Sequence, residues 1–82
     1  MIMVKNDLEK LVIKVLEEYK GRANIVQVAE FIWENYEPDL RKSGELFFTW
    51  QYDMRWAANK LRRKEVMKPA NGSPSGIWEL NT

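Results

Sequence analysis

Cysteine and histidine are both absent from the 82 residues. Without cysteine there is no disulfide framework and no thiolate zinc site. Without histidine the chain lacks the commonest general base and the commonest metal ligand. Glycine and proline are sparse, at four and three residues, and no repeat, low-complexity tract or linker interrupts the chain. No long apolar run occurs either. Met1–Val4 is apolar but too short for a signal peptide or a membrane span, so a cytoplasmic protein without a membrane partner is expected.

What is present fits one folded domain over residues 1–82. Hydrophobic residues make up 45% and charged residues 30%, a balance that supports a modest core and argues against disorder. The net charge of +1 hides an asymmetry. Residues 1–40 hold five Lys/Arg against eight Asp/Glu, a net −3, whereas residues 41–82 hold eight against four, a net +4. Six of those eight cations fall between Arg55 and Lys68. Like-sign clustering of this kind suits a polyanionic partner.

Hydrophobic spacing predicts three helices. The first spans Asn6–Tyr19, with Asn6 and Glu9 as a capping box, Leu8, Leu11, Val12, Val15, Leu16 and Tyr19 as its apolar side, and Gly21 as its stop. Arg22–Ala23 is a connector that can hold an extended residue or two. The second helix is capped by Asn24 with Gln27, packs through Val28, Ala29, Ile32, Trp33 and Tyr36, and is expected to end at Pro38. Glu37–Phe48 then reads as a connector, longer than a minimal helix-turn-helix turn, in which Leu46, Phe47 and Phe48 plug a gap. The third helix lies in Thr49–Val66, body 49–65, with Thr49 as N-cap. Trp50, Met54, Ala57 and Leu61 form its apolar stripe, and Arg55, Asn59, Arg62 and Arg63 its far side. Asp53 in the opening turns and Lys60–Lys64 at the end suit the helix dipole.

Beyond it, Val66–Ala70 and Ile77–Leu80 read as two short strands reversed by NGSPSG at 71–76, with Pro69 tolerable only on an edge. Val66, Trp78 and Leu80 should face inward. The expected core is Leu11, Val15, Ala29, Ile32, Met54, Ala57, Leu61, Val66, Trp78 and Leu80. The fold class is therefore α+β: a small winged helix-turn-helix, three helices followed by a two-stranded β-hairpin wing.

RWAANKLRRKEV at 55–66 and GIWEL at 76–80 resemble the N-terminal winged-helix domain of Mrr-type restriction endonucleases. The likeness covers the last third of the chain and extends to the first half only in helix pattern. It implies DNA binding. Because 82 residues leave no room for that family's nuclease domain, it implies binding without cleavage. Wings of the family are often basic near the turn; here Lys68 is the only nearby cation.

The residues themselves assign roles. Gln51, Arg55 and Asn59 have the side chains that read base edges, with Tyr52 beside them. Arg62, Arg63, Lys64 and Lys68, with Arg41 and Lys42, are placed for phosphates. The bland alternatives are an Arg55 ion pair with Asp53 or Glu45, and core cover for Trp56. No catalytic, metal or cofactor residues are expected. The serines have no histidine to activate them, and Glu18-Tyr19-Lys20 matches a nuclease fragment outside its structural context. No small-molecule substrate is implied. Double-stranded DNA is the expected partner and transcription regulation the expected setting. Ten aromatic residues (four Trp, three Tyr, three Phe) also suit a protein partner or a homodimer, through Phe31, Trp33, Trp56 and Phe47 or Phe48.

Overall fold

A computed structural model describes residues 3–81. Among them, three helices and a two-stranded antiparallel sheet form a small α+β unit: α1 (Asp7–Glu18), β1 (Arg22–Asn24), α2 (Ile25–Arg41), α3 (Leu46–Arg63) and β2 (Ile77–Glu79). Helix α1 lies at the centre, against both α2 and α3. Its buried residues Leu8, Leu11, Val12, Val15 and Leu16 follow the expected spacing, whereas Tyr19, expected with them, caps the helix end and is exposed.

The first cap is built differently from the expectation. Asn6 makes no side-chain cap bond; instead the Asp7 carboxylate accepts from the Val4 N–H at 2.9 Å. The Asn24–Gln27 box is reciprocal, with bonds of 2.8 and 2.9 Å. At the end of α1, Lys20 takes the left-handed conformation (φ 61°) and the Gly21 N–H reaches back to the Leu16 carbonyl at 2.7 Å. That closure satisfies a terminal carbonyl and stops the helix.

Helix α2 does not end at Pro38 but runs through it to Arg41. Tertiary contacts outweigh the missing N–H donor. Leu40 is fully buried, the Ser43 hydroxyl donates to the Asp39 carbonyl at 2.6 Å, and the Arg41 guanidinium lies 5.4 Å from the rings of both Trp33 and Phe47. The connector therefore shrinks to residues 42–45, with Gly44 at φ 61°.

Helix α3 correspondingly starts at Leu46 rather than after Thr49. Thr49 is not the N-cap. Leu46 is buried and Phe47 half-buried, but Phe48 is 83% exposed and plugs nothing. Asp53 falls too far along the helix to serve the N-terminal dipole.

Strand β2 pairs with β1, in the register Arg22↔Glu79, Ala23↔Trp78 and Asn24↔Ile77. The segment after α3 adds a single bridge, Met67↔Leu80, on the other edge of β2. Flanking bonds run from Lys68 N–H to the Glu79 carbonyl (2.9 Å) and from Asn81 N–H to the Val66 carbonyl (2.8 Å). Pro69 cannot extend the pairing because it has no N–H, and the chain enters a 3₁₀ turn at Ala70–Gly72. Met67 is buried where Val66 was expected. Val66, Leu80 and Ala29 are half-buried against the core, and the other seven expected core residues are buried. No helix among the described residues is long and apolar enough to cross a membrane.

Candidate nucleic-acid interface

Helix α3 is amphipathic in a strict sense. Leu46, Trp50, Met54, Ala57, Ala58 and Leu61 are buried against α1 and α2. The opposite side carries Phe48, Gln51, Tyr52, Arg55, Asn59 and Arg63, all exposed. At ~100° per residue these six occupy one contiguous sector of the helix.

The only acid in α3, Asp53, is withdrawn from that sector. It is 5% exposed, its Oδ2 accepts from the Thr49 hydroxyl at 2.7 Å, and its Oδ1 lies 3.8 Å from the Lys5 ammonium. A buried carboxylate needs such partners, because an unpaired one is strongly disfavoured. Arg55 consequently has neither of the ion pairs weighed for it, and among the described residues Arg55 and Arg63 make no ion pair. Lys60 is exposed at the side of α3 facing the start of α1.

Other expected contact residues are held within the fold. Lys64 donates to Glu9 at 2.8 Å, and Arg41 to Glu37 at 2.7 Å. Arg62 is half-buried, with its Nε enclosed and unpartnered. It lines a cavity of about 380 Å³ with Ile25, Ser73, Pro74 and Trp78. Lys68 pairs with Glu79 at 3.4 Å. The nearby Ser73 hydroxyl and then Lys68 hold the Glu79 carboxyl below its usual range. Lys42 is exposed.

The aromatic residues divide into two groups. Trp33 stacks on Trp50 at 6.1 Å and on Phe47 at 6.4 Å, and Phe31 meets Tyr19 edge-on; these close the core. Phe48, Tyr52 and Trp56 instead lie on the open side of α3. Phe31 and Trp33 therefore do not join the exposed patch weighed for them, Phe48 rather than Phe47 joins Trp56 there, and so does Tyr52. Phe48, Tyr52 and Trp56 recur at i, i+4 and i+8, a row that is visible only once the helix is started at Leu46.

Glu18, Tyr19 and Lys20 are exposed at the end of α1. Among the described residues no three acidic side chains gather as a metal site. Comparison of the chain with family models, with curated proteins and with solved structures finds no match in any of the three.

Proposed function

We propose that this chain is a winged-helix module that binds double-stranded DNA, in a cytoplasmic and regulatory setting and without catalysis of its own. In this reading α3 enters the major groove and residues 66–80 form the wing, as in the Mrr-type domains its sequence resembles. The observation that carries it is the open face of α3, where Arg55 and Arg63 stand with Gln51 and Asn59 and no carboxylate, and Lys60 lies at its edge. The element order supports it too: helix, strand, two helices joined by a short turn, then an extended return. A helix fits the ~12 Å major groove. Arg55, Gln51 and Asn59 lie along the middle of the face and suit base edges. Arg63 and Lys60 lie nearer the end and suit phosphates, with Lys42, Lys68 and Arg62 at the margins.

Fluorescence anisotropy with a labelled duplex at two salt concentrations tests this. Binding should weaken with salt, and Arg63→Ala should weaken it on all sequences and flatten the salt slope by about 1. Arg55→Ala should cost ~1–3 kcal/mol on a preferred site and relax discrimination there. Absence of binding at low salt, or affinity unchanged when Arg55→Ala and Arg63→Ala are combined, rejects the proposal.

A further inference from the structure

Phe48, Tyr52 and Trp56 are 83%, 63% and 43% exposed, an unusual display on a helix otherwise sorted so cleanly. The row is not a loose scatter. Phe48 is braced edge-on by Phe47 at 5.0 Å, and Tyr52 meets Trp56 edge-on at 6.2 Å. Two aromatic platforms therefore stand one helical turn apart, about 6 Å along the axis. Arg55 and Arg63 flank the row on one side with Asn59 between them, Lys60 continues it one turn beyond Trp56, and no acid lies within it. Beside the Tyr52–Trp56 platform lies a cleft of about 330 Å³, where Lys5 and Lys60 stand with two acids, Glu9, paired with Lys64, and Asp53, buried and held by Thr49. The unpaired Arg55 and Arg63 along the row, with Lys60 at its end, favour a polyanion over an uncharged apolar partner.

We infer that the aromatic row takes unpaired, unstacked bases, so that the preferred DNA is a duplex interrupted by an unpaired segment. This rests on the reading of α3 as the DNA-facing helix. In a stacked strand successive bases are ~3.4 Å apart along the axis, too close to engage platforms a helical turn apart. A strand freed of its partner can spread to that spacing. Each base then lies against a ring, while its phosphates meet the flanking cations. The cleft gives one base room to turn past Trp56.

Three labelled oligonucleotides, compared by anisotropy at one salt concentration, test the inference: a duplex, the same duplex with a looped-out run of unpaired thymines, and the single strand. The looped duplex should bind roughly 5- to 150-fold tighter than the intact one, the range of one stacked base. Phe48→Ala with Tyr52→Ala should erase that preference, read as the ratio of looped to intact affinity within the variant. Both side chains are exposed, so the fold is retained, and a circular dichroism melt checks this. Equal affinity for looped and intact duplex, or a preference that survives the double variant, overturns the inference while leaving duplex binding standing. Failure of all three DNAs to bind overturns both readings. If sedimentation shows a dimer that the double variant dissolves, a second copy of the chain covers the row and the inference is overturned.

Discussion

Asp53 shows how one side chain shapes a surface it does not belong to. Turned inward, it removes the only negative charge from α3's open side. Its carboxylate stands on a hydrogen bond from Thr49 at 2.7 Å and a longer approach from Lys5 at 3.8 Å. Lys5 is 75% exposed, so water screens that pair and the Thr49 bond matters more. Asp53→Ala should destabilise the fold by ~0.5–1.5 kcal/mol, the net worth of one hydrogen bond, because Thr49 is exposed and its hydroxyl keeps the Glu45 carbonyl and water as acceptors. Asp53→Asn keeps an acceptor and should cost less. Urea denaturation of the two variants decides; equal losses would show that the charge carries the effect. The inward turn was not legible in the sequence. The helix phase sets Asp53 beside the stripe, but its partners are not local: Lys5 lies outside α3, and Thr49 is an i−4 helical neighbour only if α3 starts before it, where Leu46–Phe48 carries no cap signal. By contrast Arg55 and Asn59 were legible, because the Trp50–Met54–Ala57–Leu61 stripe fixes the helix phase whatever its first residue.

At the scale of elements, α1 and α3 end by the same device. Lys20 and Glu65 adopt φ of 61° and 62°, and the next N–H reaches back to the Leu16 or Leu61 carbonyl at 2.7 or 2.9 Å. A side chain in that conformation is strained, and glycine is not. Glu65→Gly should therefore stabilise the domain by ~1 kcal/mol, seen as a rise in Tm of about 4–8 °C; a fall would mean that the Glu65 side chain holds the wing. The wing itself carries a pH dependence. The folded-state pKa of Glu79 is lowered by Ser73 and Lys68, so its contribution is present above the usual carboxylate range. It is lost as pH falls through and below that range. Glu79→Gln should accordingly lower Tm at neutral pH, and the gap to the parent should close in acid. The wing was legible as turn chemistry at 71–76 but not as pairing. Strand β1 is three residues long with one buried side chain, too little for a periodic signal. Pro38 misled for a related reason: the rule for proline is local, whereas buried Leu40 and the stacked Arg41 act across elements.

At the scale of the whole molecule, charge is segregated. The acidic half of the sequence builds α1, β1 and nearly all of α2, and the basic half builds α3 and the wing. Such a molecule would approach a polyanion oriented, an advantage that fades with added salt. The candidate face was legible to the extent that it is local to α3. The ion pairs of Lys64 and Lys68 were not legible, because their partners, Glu9 and Glu79, lie on other elements. The sheet has one more consequence, and it concerns time. Because Ala23 pairs with Trp78 and the Leu80 N–H donates to the Gly21 carbonyl, the sheet closes most of the chain into one loop. Closing a loop that long before anything holds it is entropically unfavourable, whereas the helices form and pack through nearer contacts. The sheet should thus assemble after the folding barrier is crossed. Trp78→Phe should then speed unfolding and leave the refolding rate nearly unchanged in a stopped-flow chevron, and equal changes in both arms would place the sheet in the nucleus. On that ordering the wing is the last part of the protein to arrive and the first to open.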